Sequence, residues 1–206
     1  MIIAVDGPTA SGKGTIARAL ARHFGLPHLD TGLLYRAVGQ QLVRNGGDPD
    51  DPMDALAACA FPESLLADPG LRSEGAGGIA SRVSIHSAVR AALLERQRAF
   101  ARQPGGAVLD GRDIGTVIAP DADVKLFVTA SVAARAVRRW KEMRERGENR
   151  TLDSIEDDLR ARDERDTTRA QAPLVAAADA IILDTSELDR DDAIAAAIAI
   201  VERHRA

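Results

Sequence analysis

Apolar and polar positions along the chain change period repeatedly. Ile2 to Asp6 is a short apolar run that ends at a glycine, the mark of a buried strand. From Lys13 to Phe24 the positions Ile16, Ala19, Leu20, His23 and Phe24 recur at helical spacing, and Gly25 offers a C-cap. Leu26 to Asp30 reads as a second strand, placed towards a sheet edge by Pro27. Thr31 is the expected N-cap of a helix running to about Asn45, stopped by Gly46-Gly47. Asp48 to Gly78 is broken by prolines and glycines, with a short helix expected near Met53 to Ala60. Ala80 to Gln103 reads as one helix. Ala107 to Asp110 and Val124 to Thr129 read as strands. Ser131 caps a helix to about Arg146, where Gly147 breaks it, and Thr151 to about Arg169 is a second charged helix. Ala180 to Asp184 is the last strand and Arg190 to His204 the last helix.

Strands that alternate with helices predict an α/β fold: a five-stranded parallel sheet with helices on both faces. The 206 residues (21.9 kDa) suit one such domain with small insertions. Two segments stand out as insertions, Asp48 to Gly78 and the helical pair around Gly147. Ser131 to Ala170 holds 11 Arg/Lys against 10 Asp/Glu, the balance of a solvated face or of a mobile lid.

Composition narrows the function. The net charge is −4, which argues against a general binder of nucleic acid or membrane surfaces, since neutralising phosphates needs a basic excess. Only one cysteine, Cys59, is present, so there is no internal disulfide and no Cys/His zinc cluster. The chain has no signal-peptide pattern and no long apolar run, so a cytosolic location is expected. Of 27 basic residues only Lys13, Lys125 and Lys141 are lysines. The arginine excess fits either a coding bias or bidentate recognition of phosphate and carboxylate.

Lys13 falls in the most informative segment. Gly7-Pro8-Thr9-Ala10-Ser11-Gly12-Lys13-Gly14-Thr15 fits G-x-x-x-x-G-K between an expected strand and an expected helix. Gly7 and Gly12 allow backbone angles that turn the loop's N–H groups inward, and the helix N-terminus adds positive potential. Lys13 then reaches the β- and γ-phosphates of a nucleoside triphosphate. Because Gly14 follows Lys13, the Mg²⁺-holding hydroxyl falls to Thr15. A second acidic element, Val108-Leu109-Asp110-Gly111-Arg112-Asp113, ends a strand. Asp110 is a candidate magnesium or water ligand there, or a turn-capping carboxylate, and Asp113 a candidate acceptor-facing group.

With these residues in view, the chain resembles the bacterial cytidylate kinases of the nucleoside monophosphate kinase superfamily. The resemblance rests on D-G-P-T-A-S-G-K-G-T (Asp6 to Thr15), L-D-T-G-L-L-Y-R (Leu29 to Arg36), R-Q-R-A-F (Arg96 to Phe100), D-G-R-D-I-G-T-V-I (Asp110 to Ile118) and R-D-E-R-D-T-T-R-A-Q-A-P-L (Arg162 to Leu174). The first motif is common to many kinases; the last three together are far more specific.

The resemblance implies a single P-loop kinase domain with core segments 1–45, 80–130 and 170–206. It further implies an acceptor-binding insertion at about 46–79 and a lid at about 135–169. Transfer of the ATP γ-phosphoryl group to CMP or dCMP, with Mg²⁺, is implied as the activity. By position, Thr31, Tyr35 and Arg36 would line the acceptor pocket, while Ser81, Arg90 and Asp113 would read the cytosine. Arg112 would hold the acceptor phosphate, and Arg162, Asp166 and Arg169 would contact ribose and phosphates. Arg135 and Arg139 are looser candidates. Lys13, Arg112, Asp113, Arg162 and Arg169 form the expected catalytic set. Free nucleotides are the expected partners of a monomer in the cytoplasm, with no nucleic acid and no membrane.

Each of these residues also has a plainer structural role open to it. Tyr35 fits a core position. Arg162, Asp166 and Arg169 share a helix face and fit a surface ion-pair ladder. Ser81 and Arg90 fit a solvated face. The chain departs from the family in its insertion: Phe61 to Gly78 lacks the alternating pattern of the small antiparallel sheet usual there. Other P-loop functions fit less well. A GTPase-like switch is disfavoured because no N-K-x-D occurs. A nucleic-acid-processing ATPase is disfavoured by the acidic balance and by only six aromatic residues.

Overall fold

The computed structural model describes residues 1–204. They divide into two compact units. One comprises Met1–Leu29 and the chain from Ala101 onward, and the other Asp30–Phe100.

The first unit is the parallel sheet and its covering helices. Its strands are β1 (Ile2–Asp6), β2 (His28–Asp30, which reaches the unit's boundary), β3 (Ala107–Gly111), β4 (Val124–Thr129) and β5 (Ile181–Asp184). Their order is β2-β3-β1-β4-β5, and the β1–β3, β1–β4 and β4–β5 pairs are parallel. Asp6 lies level with Gly111 on one side and Phe127 on the other, so the loops after three central strands open at the same sheet edge. Ligands bind at that edge in parallel α/β sheets. Helices α1 (Lys13–Phe24) and α8 (Arg190–His204) belong to one core with the sheet. Ile16 and Leu20 of α1 and Ala197 and Val201 of α8 are buried with Ile3, Val5, Leu126 and Val128. Burying each large aliphatic side chain contributes about 1.5–3 kcal/mol. Helices α6 (Val132–Glu145) and α7 (Leu152–Thr168) form a smaller core from Ala136, Met143, Ile155 and Leu159.

The second unit is helical: α2 (Thr31–Asn45), α3 (Pro52–Ala57), two 3-10 turns (Glu63–Ala67 and Pro69–Arg72), α4 (Glu74–Val83) and α5 (Ser87–Ala101, whose last residue lies in the first unit). Leu34, Val38 and Leu42 of α2 form its core with Val83, Val89 and Leu93.

Most elements lie where the periodicity places them. The Ser131 hydroxyl accepts from the Ala134 N–H (3.2 Å) and Thr151 from Ser154 (3.3 Å), which are the expected caps of α6 and α7. Four readings differ. Thr31 is the first residue of α2 and Asp30 its N-cap. Strand β2 begins at His28, because the Leu26 N–H is spent on the end of α1 (2.9 Å to Ala21 O). The long helix expected over Ala80 to Gln103 is two helices. The Ser84 hydroxyl donates to Ser81 O (3.0 Å), and the N–H groups of Ile85 and His86 close tight turns onto Arg82 and Val83. Finally, α4 starts within the segment read as irregular, despite its glycines. Its place is set by packing. A Cβ on Gly39 of α2 would lie 2.8 Å from Ile79 Cγ2, so that glycine lets α4 approach closely.

Candidate active site

Between β1 and α1 the chain makes the cradle expected from its glycines. A Cβ on Gly7 would stand 2.0 Å from the Val128 carbonyl oxygen, so no side chain fits there. Gly12 is left-handed (φ 89°) and is the N-cap of α1. Its carbonyl accepts from the N–H groups of Thr15 (3.0 Å) and Ile16 (3.1 Å). No side chain caps this helix end. The positive end of the helix dipole therefore faces the loop without a capping side chain and favours an anion there. Lys13 Nζ lies back over the loop and donates to Pro8 O (3.2 Å).

A cleft of about 540 Å³ opens from this cradle. Beyond the residues of the loop and α1 it is lined by Arg138, Arg139 and Lys141 of α6 and by Thr185, Leu188 and Asp189 after β5. Arg138 orders its far wall, donating to Thr185 Oγ1 (3.0 Å), Thr185 O and Leu188 O (3.3 Å). The buried Thr185 hydroxyl in turn donates to Ser11 O (3.0 Å) in the loop itself.

At the other side of the cradle, arginines gather on one carboxylate. Arg112 Nη2 donates to Thr9 Oγ1 (2.7 Å) and its Nε to Asp166 Oδ2 (2.8 Å). Asp166 is only 4% exposed. Burial by itself would raise its pKa, but the charge and hydrogen bond of Arg112 outweigh it, and the charges of Arg162 and Arg169 add to them. Asp166 is therefore held below the usual carboxylate range. Arg169 donates through Nε to Ala172 O (2.6 Å), and its Nη2 stands 3.6 Å from Asp113 Oδ1. This is not a surface ladder, because Asp166 and the Arg169 side chain are buried.

Asp110, the last residue but one of β3, lies beside the start of α1. A Cβ on Gly14 would lie 3.5 Å from its Oδ2, while its Oδ1 pairs with His28 Nε2 at 2.6 Å. The Thr15 hydroxyl, on the same turn of α1, receives a long contact from Arg18 Nη2 (3.4 Å). A carboxylate oxygen and a hydroxyl are hard ligands of the kind Mg²⁺ takes alongside phosphates and water, so Thr15 and Asp110 are residues that could hold that ion. Among the described residues no group of three or more His, Cys, Asp or Glu is placed to hold a metal ion.

The remaining predicted residues lie in the helical unit. Thr31, Tyr35, Ser81 and Arg90 are all buried, so Ser81 and Arg90 do not form a solvated face. The Arg90 guanidinium lies over the Tyr35 ring, 5.8 Å from its centroid. Tyr35 itself belongs to the core around Leu34 and Val38. Arg36 holds the backbone of the second 3-10 turn, donating to Leu71 O (2.8 Å) and Ser73 O (2.9 Å).

Sequence reasoning missed His28, Arg138, Thr185 and Leu188. Only one signal pointed to any of them: Thr185 directly follows the last strand, at the sheet edge where ligands bind. Arg139 lines the cleft as a loose candidate, whereas Arg135 is buried on the loop's backbone.

Taken together, the parallel sheet, the glycine cradle and the arginine cluster define a P-loop protein built to handle nucleotide phosphates. A crystal structure of an uncharacterized protein from Eubacterium ventriosum ATCC 27560 has the same overall fold. Its TM-score is 0.53 at 14% identity, covering 98% of this chain and 97% of that one. The family model for cytidylate kinase matches residues 3–203. The cytidylate kinase of Xanthobacter autotrophicus is 56% identical over 100% of this chain and 99% of its own length. That of Caulobacter sp. strain K31 is 55% identical over 100% and 95%. The chain belongs to the cytidylate kinase family.

Proposed function

We infer that the protein transfers the γ-phosphoryl group of ATP to CMP or dCMP, giving ADP and CDP or dCDP. Family membership supports this reading, and one structural observation carries it. A cradle for the donor's phosphates stands beside the buried Asp166, which bonds Arg112 and feels the charges of Arg162 and Arg169. Phosphoryl transfer spreads charge over the oxygens of the transferred group, and fixed cations stabilise that charge better than water does. The acceptor phosphate is already anionic, so no base has to generate a nucleophile.

The donor phosphates are assigned to the backbone of Gly7 to Thr15 and to Lys13. The nucleoside end is assigned to the cleft walled by Arg138, Arg139, Thr185 and Leu188. Mg²⁺, when bound, neutralises and orients the donor phosphates, and Thr15 and Asp110 are the residues that would hold it. Arg112, Arg162 and Arg169 are assigned to the acceptor phosphate, with Asp166 orienting Arg112. Asp113 is assigned to the cytosine exocyclic amine. Thr31, Tyr35, Arg36, Ser81 and Arg90 are assigned to the acceptor nucleoside. Supporting that reading, Thr31, Tyr35, Ser81 and Arg90 are enclosed within the helical unit instead of forming a solvated face. Residues 46–79 are assigned as the acceptor-binding insertion and 135–169 as the lid.

None of the described helices is long and apolar enough to cross a membrane. We place the enzyme in the cytoplasm, as a monomer acting on free nucleotides rather than on nucleic acid. A coupled assay of ADP release with ATP and Mg²⁺, across CMP, dCMP, UMP, AMP and GMP, tests the central claim. Turnover should be greatest with CMP and dCMP; release that does not depend on either refutes it.

A further inference from the structure

Thr9, near the middle of the phosphate loop, is held through both of its oxygens by different arginines. Its Oγ1 accepts from Arg112 Nη2 (2.7 Å), and its carbonyl accepts from Arg135 Nη1 (3.2 Å). Each arginine also holds a carboxylate of α7. Arg112 Nε reaches Asp166 Oδ2 (2.8 Å), while Arg135 holds Asp163 in a fork, Nη1 to Oδ1 at 3.0 Å and Nη2 to Oδ2 at 2.5 Å. Asp163 and Asp166 are three residues apart and so share one face of the helix. One guanidinium at each end of that face ties α7 to the loop.

Arg135 is the less accessible of the two. It is 3% exposed, and its Nε donates to Ala130 O (3.0 Å) at the end of β4. Its planar head therefore has three fixed directions: the strand end, the phosphate loop and α7. Only a guanidinium forks this way; a lysine keeps the charge but not the geometry. As a stabilising device the arrangement is poor, because a buried ion pair returns little more than its desolvation cost. Its use lies in the geometry it sets.

We propose that Arg135, with Asp163, is a positioning pair for phosphoryl transfer. Through the Thr9 carbonyl it holds α7, and with it Arg162 and Arg169, in register with the donor-phosphate loop. Arg135 itself touches neither nucleotide. The proposal rests on the assignment of Arg162 and Arg169 to the acceptor phosphate. Misplacing reacting groups by about an ångström costs on the order of 10²-fold in rate.

Steady-state kinetics of Arg135→Lys and Asp163→Asn, with ATP and CMP varied separately, test it beside thermal melts. Both variants should lose on the order of 10²-fold in kcat. KM for ATP should stay within about threefold of wild type, because the loop's N–H groups are intact. The double variant should lose little more than either single one, since both changes break the same link. Asp163→Glu, which keeps the charge, should recover part of the rate. Lower melting temperatures with wild-type kcat overturn the proposal, and so does a rise confined to KM for ATP. If Arg135→Lys does not fold, Asp163→Asn and Asp163→Glu decide by the same readings. Arg162→Ala and Arg169→Ala in the same series separate the two claims. If these leave CMP kinetics unchanged, the acceptor assignment fails; if they lower turnover while the Arg135 and Asp163 variants do not, only the positioning claim fails.

Discussion

Replacing Asp6 by asparagine should remove part of the protein's pH dependence of stability. Asp6 closes β1 and is buried. Its Oδ1 accepts from the Ile114 N–H and its Oδ2 from the Gly115 N–H, each at 2.8 Å. Burial pushes its pKa up from 3.8, the two N–H bonds draw it down, the Asp113 charge raises it and Arg112 lowers it. The balance is a value of about 6. A carboxyl whose pKa is higher folded than unfolded favours the native state while it is protonated. Its contribution is complete below pH 3.8 and is lost as pH rises through about 6. At about 1.36 kcal/mol for each pH unit of that gap, the loss amounts to about 3 kcal/mol. About 2 kcal/mol of it falls between roughly pH 4.5 and 7.5, where the fold can be measured. Asparagine does not titrate, although its amide group turns an N–H towards one of the two backbone donors, at about 1–3 kcal/mol at every pH. Urea unfolding of both proteins across that range isolates the carboxyl. The stability of wild type minus that of Asp6→Asn should fall by about 2 kcal/mol from the acid to the neutral end. A difference that is flat, or that grows with pH, refutes the claim that burial dominates over the two amide bonds.

Lys13→Ala should keep the fold, by circular dichroism and melting, and lose roughly 10²–10³-fold in kcat, because one preorganised cation at the transferred group is gone; turnover near wild type in the folded variant contradicts its assignment. Gly7→Ala should destabilise the protein in urea by several kcal/mol or fail to fold, since its Cβ would stand 2.0 Å from the Val128 carbonyl oxygen; a melt within about 0.5 kcal/mol of wild type would show the loop to be more yielding than its geometry implies. Arg169→Ala should raise KM for CMP and lower kcat together, and steady-state kinetics with unchanged values would reduce it to a structural role. Asp113→Asn should narrow the CMP-over-UMP ratio of kcat/KM, because the amide can donate to the uracil oxygen where the carboxylate repels it; its 3.6 Å contact with Arg169 offers a rival role, in which activity falls with both acceptors and the ratio holds.

Much of the site is legible in the sequence because its signals are local. A strand, a glycine-rich loop and a helix follow one another within Ile2 to Phe24, and the backbone angles the cradle needs are written in Gly7 and Gly12. The caps of α6 and α7 are readable for the same reason: Ser131 and Thr151 each bond an N–H three residues on. Arg112, Arg162, Asp166 and Arg169 are legible as a group only through resemblance, and by sequence alone Arg162, Asp166 and Arg169 also fit a surface ladder.

What the sequence alone could decide ends where partners lie far apart along the chain. Arg135 and Arg138 are one helical turn apart on α6 and look alike in sequence. One reaches Thr9, 126 residues away, and the other Thr185, 47 residues away. Nothing in the period of α6 distinguishes these destinations, since a helix pattern says which face is buried but not against what. What holds Asp6 was not visible, because the N–H groups that bond it come from Ile114 and Gly115, 108 and 109 residues away along the chain. The break between α4 and α5 escaped for a related reason. Ser84 to His86 carries no glycine or proline, and its turns are closed by backbone bonds to Arg82 and Val83. Ordering of the phosphate loop, the cleft and α7 was therefore settled by tertiary contacts, because hydrogen bonds and charges act on distance in space, whereas capping, glycine conformation and apolar period act on distance along the chain.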